Sequence, residues 1–162
     1  MPYTLIRHLQ YSVWANSRIA EVLQKAADDL LYAEVKSSFP TIEKTILHIW
    51  DAEFIWMKRL QGENLTDWPS KAFNGGKEEL LSGYVRSSKN LLEYIQSKEP
   101  GYIYEMAKYK SMKGDAFQNT VEEILFHVVN HGTFHRGQII TILRELGLTD
   151  FPPTDLIFFY RV

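Results

Sequence analysis

The sequence predicts an all-α fold, a four-helix bundle with a long connection between the second and third helices and a short irregular or hairpin segment before the fourth. Three observations lead there. Apolar residues recur at helical intervals in four long stretches. Turn-forming glycine and proline clusters separate those stretches. The chain has 162 residues, a length that fits one domain spanning 1–162 with a core of its own.

The first helix is expected from about Tyr3 to Ala27, with Pro2 suited to a helix start. Leu5, Leu9, Val13, Ile19, Val22 and Leu23 form its apolar stripe. The second begins after Ser38-Phe39-Pro40 and ends at Gly62. Thr41 with Lys44 makes no capping box, so this start rests on Pro40 and on the stripe Ile42, Ile46, Ile49, Glu53, Trp56 and Leu60. A turn-rich crossing from Gly62 to Gly76 follows, too short for a flexible linker. The third helix covers roughly Lys77 to Lys98 and stops at Pro100-Gly101. Weak alternation from Tyr102 to Gln118, around Lys113-Gly114, suits a short hairpin or extended loop. The fourth helix runs from about Thr120 to Leu146 and ends at Gly147. The tail, with Phe151-Pro152-Pro153 and Leu156 to Tyr160, is too apolar to float free. It is expected to pack on the bundle or on a partner chain.

Composition removes several functions. Lys plus Arg number 18 against 20 Asp plus Glu, so the basic footprint of a nucleic-acid binder is missing. Cysteine is absent, which excludes disulfides, thiolate metal ligands, iron–sulfur clusters and a cysteine nucleophile. The N-terminal residues show no signal pattern, and no apolar run approaches the roughly 20 residues of a membrane span. The expected location is the cytoplasm. No phosphate-cradling glycine loop, serine-nucleophile elbow or kinase signature is present.

The chain's 5 histidines are His8, His48, His127, His131 and His135. Residues four apart lie one turn from each other on a helix, so His131 and His135 can point the same way and chelate one ion. The apolar stripe of the fourth helix is centred near His135, with His131 at its edge and His127 further round. In the second helix His48 flanks Ile49, Ala52 and Trp56, again at the core boundary. Three such imidazoles would form a site with an open coordination position, suited to zinc, nickel or another first-row ion. The competing reading is a set of surface or polar core histidines. Gly132, not a glutamate, follows His131, so the metalloprotease motif is absent.

The string from His127 to Ile139, with His131, His135, Arg136, Gly137 and Gln138, closely resembles the hallmark of the DinB/YfiT-like proteins. So do Thr45 to Trp56, Tyr11 to Asn16, and Pro153 to Leu156. The resemblance covers essentially the whole chain. It implies a four-helix bundle, commonly homodimeric, holding one divalent metal through three histidines, here His48, His131 and His135. The family name records induction by DNA damage in some bacteria and does not imply DNA binding. Some related bundles are transferases or isomerases that use bacillithiol, mycothiol or glutathione.

A divalent ion on neutral imidazoles keeps its full charge and lowers the pKa of a bound thiol or water. The leading reading is therefore a metal-dependent thiol S-transferase acting on a small-molecule thiol and an electrophile. The alternatives are a metal-dependent hydrolase and a non-catalytic metal-binding stress-response protein. Glu53, inside an apolar stripe, is expected either to accept a hydrogen bond from a ligand histidine or to pair with Arg136, Arg18 or a tyrosine. Gln138 orients a ligand or, as the favoured reading, caps a core contact, and Asn16 is read as polar packing. Trp14, Trp50 and Trp56 are assigned to core or pocket wall, Trp68 and Tyr109 to a pocket rim. His8 and His127 are read as structural, and Lys108, Lys110 and Lys113 as a solvated loop.

Overall fold

In chain order the elements are α1 (Tyr3–Lys25), α2 (Asp29–Tyr32), α3 (Ile42–Leu60), α4 (Pro69–Ala72), α5 (Lys77–Gln96), a 3₁₀ turn (Pro100–Tyr104), β1 (Met106–Lys110), β2 (Ala116–Thr120), α6 (Val121–Glu145) and α7 (Leu156–Phe159). These come from a computed structural model that describes residues 3–63, 65 and 67–161; Pro2 lies outside the described residues. The all-α four-helix bundle expected from the sequence is the architecture observed.

Local chemistry sets the helix boundaries. Thr41 caps α3, its side chain accepting from the Lys44 backbone N–H, so a single-sided cap operates where no capping box exists. At α6 the box is complete: Thr120 accepts from Glu123 N–H and the Glu123 side chain accepts from Thr120 N–H. Gly62 and Gly147 follow α3 and α6 with φ of 83° and 88°, a conformation that stops a helix without a Cβ clash.

Each long helix borders two others. α1 and α3 both pack against α5 and α6, and so occupy diagonal corners. Matching side chains give the directions. Asn16 meets Arg136 and His8 meets Phe126, so α1 and α6 are parallel. Glu53 meets Ser88 and Leu60 meets Tyr94, so α3 and α5 are parallel as well. His48 and Trp56 meet His131 and His127, making α3 and α6 antiparallel. The topology is up-down-down-up. Two adjacent parallel helices cannot be joined by a tight turn, which is why the connection after α3 must travel back along the bundle. Asp51 pins that connection by accepting from the Ser70 backbone N–H at 2.8 Å and from its hydroxyl.

Two apolar clusters fill the ends of the bundle. One contains Leu5, Leu9, Leu91, Ile95, Ile124, Leu125 and Phe159; the other contains Ile19, Leu23, Ile46, Ile49, Leu80, Ile139 and Leu143. The tail docks as expected, through the buried Phe159 against Tyr11 and Trp14, with Tyr11 OH donating to the Thr154 carbonyl at 3.0 Å. The hairpin is also realised: β1 and β2 are antiparallel, with Tyr109 opposite Phe117 and Gly114 in the turn at φ 92°. Among the described residues no helix is long and apolar enough to cross a membrane.

Candidate metal centre

The site lies on the seam between α3 and α6. His48 comes from the middle of α3, and His131 and His135 from successive turns of α6, so all three rings are carried on rigid helices. One ring nitrogen from each of His48, His131 and His135 lies within 4.8 Å of the others. Nε2 of His131 is 3.0 Å from Nε2 of His48, close enough for the two imidazoles to share one proton. Three imidazole nitrogens around a tetrahedral ion at ~2.0–2.1 Å would stand about 3.4 Å apart, so the cluster needs only small ring adjustments to receive one.

Protonation state favours the same use. Burial, followed by the charges that His135, His48 and His127 would carry, pushes His131 down to about 3. Burial and then His135 lower His48. Burial lowers His135 too, partly offset by its bond to Gln138. At neutral pH all three are uncharged imidazoles, the protonation state in which the ring binds a metal.

Gln138 has a defined task here. Its Oε1 accepts from His135 Nδ1–H at 2.7 Å, which fixes the tautomer and leaves the lone pair on Nε2. The favoured expectation of a core-capping role is therefore replaced by the orienting one. Phe39, just before α3, stacks on His48 at 4.3 Å and meets His135 edge-on at 5.7 Å. Phe134 meets His135 edge-on at 5.0 Å. Sequence reasoning missed both aromatics; Phe39 served there only as punctuation before Pro40.

Glu53 is not attached to any histidine. Its carboxylate accepts from Ser88 Oγ at 2.9 and 3.0 Å and from Asn16 Nδ2 at 3.3 Å. Asn16 Oδ1 in turn accepts from Tyr84 OH at 2.7 Å and from Arg136 Nη1 at 2.8 Å. Arg136 is 1% exposed and Glu53 3%, and Asn16 bridges the two. This network forms a polar layer joining α1, α3, α5 and α6, and its last member is the neighbour of His135. Gly132 makes room for it: a Cβ there would stand 3.0 Å from Arg136 Nη1. Burial pushes Glu53 up to about 7, against the pull of Ser88, Ser87, Arg136 and Asn16.

The other candidates divide cleanly. His8 is structural, its Nδ1 2.7 Å from the Thr4 carbonyl. Exposed His127 stays outside the three-nitrogen cluster, its ring lying between Trp56 and His131. Trp14 and Trp50 pack in the bundle, whereas Trp56 meets His127 edge-on at 5.5 Å. Tyr109 meets the Trp56 ring edge-on at 4.9 Å. Trp68 instead carries Lys71 at 3.9 Å over its ring, and among the described residues its ring contacts include no histidine. Lys108, Lys110 and Lys113 are exposed on the hairpin.

Known proteins share this fold. The chain is 30% identical over 153 residues to Protein DinB of Bacillus subtilis, covering 90% of this chain and 87% of that protein. A DinB-like protein from Bacillus cereus has a similar crystal structure, with a TM-score of 0.65 and 20% identity over 90% of this chain and 94% of its own. A DinB-like protein from Bacillus subtilis superposes with a TM-score of 0.65 and 14% identity over 94% and 98%. The profile of the DinB family matches residues 1–161, and the chain belongs to that family.

Proposed function

We propose that His48, His131 and His135 hold one divalent ion, zinc or nickel, and that the protein transfers a low-molecular-weight thiol to an electrophile. The observation that carries this reading is the convergence of three neutral imidazole nitrogens on one point, in a chain with no cysteine. The bound ion would supply Lewis acidity, lowering the pKa of a thiol or water that joins it. The chain's own residues prepare the rest. Gln138 holds the His135 tautomer, Phe39 fixes the His48 ring plane, and the Arg136–Asn16–Glu53 layer sets the position of α6. Any sulfur must arrive with the substrate.

Thiol transfer is favoured over hydrolysis by what surrounds the cluster. Hydrolysis profits from a carboxylate base beside the attacking water. Among the described residues the potential ligand group contains only histidines, and the buried Glu53 is bonded to Ser88 and Asn16. A homodimer working in the cytoplasm belongs to the same proposal. Metal-loaded protein incubated with a panel of thiols and electrophiles is expected to accelerate thioether formation above free metal. No acceleration with any pair, from protein that retains its metal, would refute the transferase and leave a binding protein.

A further inference from the structure

Three helical turns from His48 stands a cation for which no anionic partner is found among the described residues. Arg59 is half-buried, and the ion pairs found among the described residues use Lys58, Lys71 and Lys77 instead. Its guanidinium lies over two aromatic rings, 4.7 Å from the centre of Trp56 and 5.2 Å from that of Tyr109. Burial holds its pKa below the ordinary arginine value. A half-buried guanidinium lying over ring faces retains its planar donor fork for a carboxylate or other oxyanion.

The frame around Arg59 is built, not adventitious. Tyr109 OH donates to Asn119 Oδ1 at 2.8 Å, and Asn119 Nδ2 donates to Glu123, which caps α6. The hairpin is thereby tied to the helix that carries His131 and His135. Along α3, His48, Ala52, Ile55 and Arg59 follow one face at spacings of four, three and four. Across the α3–α6 seam, Trp56 meets His127 at 5.5 Å, and His127 meets His131 at 5.9 Å.

The geometry points to an oxyanion subsite at Arg59, framed by Trp56, Tyr109 and His127, that receives the carboxylate of a small molecule whose other end reaches the three histidines. Arg59 and His48 are about three helical turns apart, ~16 Å along α3. That span excludes molecules whose carboxylate is adjacent to the metal-seeking atom and selects extended ones. The inference rests on the metal-site reading for one end of the ligand only.

The test titrates cobalt-loaded protein with mercaptoacetate, mercaptohexanoate and mercaptooctanoate, and with mercaptohexanol and mercaptooctanol as uncharged controls. Two signals are followed, the sulfur-to-cobalt absorption band and tryptophan fluorescence. The longer acids are expected to bind about tenfold more tightly than the matching alcohols, with no such gain for mercaptoacetate. In Arg59→Met the advantage disappears while alcohol affinity stays, which also shows that the variant is folded. Equal affinity of acid and alcohol in the wild type, or an acid preference that survives Arg59→Met, overturns the subsite. An absorption band without acid preference removes the subsite and leaves the thiol reading intact. Arg59-dependent fluorescence changes without the band support the subsite and remove the thiol reading. Neither signal removes both.

Discussion

Nε2 of His131 stands 3.0 Å from Nε2 of His48 across the α3–α6 seam, although the residues are 83 positions apart in the chain. Two neutral imidazoles at that distance share a proton in the absence of metal, and a divalent ion would take that proton's place. Replacing either ring with alanine removes one of the three proposed ligands. His131→Ala or His48→Ala is expected to weaken zinc binding by at least a hundredfold, measured by competition with a chromophoric chelator.

Gln138 stands one step behind the three-histidine cluster. Its amide oxygen holds His135 Nδ1–H at 2.7 Å, so Gln138→Leu should free the ring to rotate and change tautomer. Metal affinity is expected to fall by about 10–100-fold. Thermal stability of the metal-free protein should move little, because only one partly exposed bond is lost.

The histidines give the metal-free protein an acid-sensitive stability. His131 has an ordinary value of 6.5 when unfolded and about 3 when folded. Between those values the folded chain binds fewer protons than the unfolded one. The stability is fully present above pH 6.5 and is lost as pH falls toward 3. Urea unfolding in the presence of a chelator should show that decline, with a shallower slope in His131→Gln.

Glu53 works with the opposite sign. Its carboxyl moves from 4.5 unfolded to about 7 in the buried layer, so the folded chain holds the proton more strongly. This contribution is fully present below pH 4.5 and is lost as pH rises through about 7. Its full range is on the order of 3 kcal/mol. Glu53→Gln should therefore gain stability relative to wild type between pH 5 and pH 8, read as a difference in unfolding free energy.

Gly83 supports Trp50, the α3 residue two positions after His48. A Cβ at Gly83 would lie 2.1 Å from the Trp50 ring, so the indole occupies the space of the missing side chain. Gly83→Ala should cost about 1–3 kcal/mol despite its better helix propensity, because backbone and ring must separate. Chemical denaturation measures it.

Much of this was legible in the sequence because helix periodicity is local. The four long helices, the hairpin and the docking tail follow from apolar spacing and turn residues. Helix direction was not, since up-down-down-up depends on which diagonal the connections cross. The turns Asp29–Tyr32 and Pro69–Ala72 are too short to display a period. At the site, helical phase selected His131 and His135, and the core-boundary position selected His48. The stripe position of Glu53 revealed burial but not partners, which sit on α1 and α5 at separations of 37 and 35 residues. Gln138, three residues from His135, had a readable signal in its spacing. Arg59 had none, because its aromatic frame spans α3 and the hairpin.

The central claim is that three imidazoles of one chain hold one divalent ion. X-ray absorption on zinc-loaded protein, with metal counted by mass spectrometry, tests it most directly. The account predicts one ion per chain, imidazole scattering from three nitrogens at ~2.0–2.1 Å, and loss of both in His131→Ala and His135→Ala. A substoichiometric metal content, or a shell that keeps its imidazole signature in those variants, would contradict it.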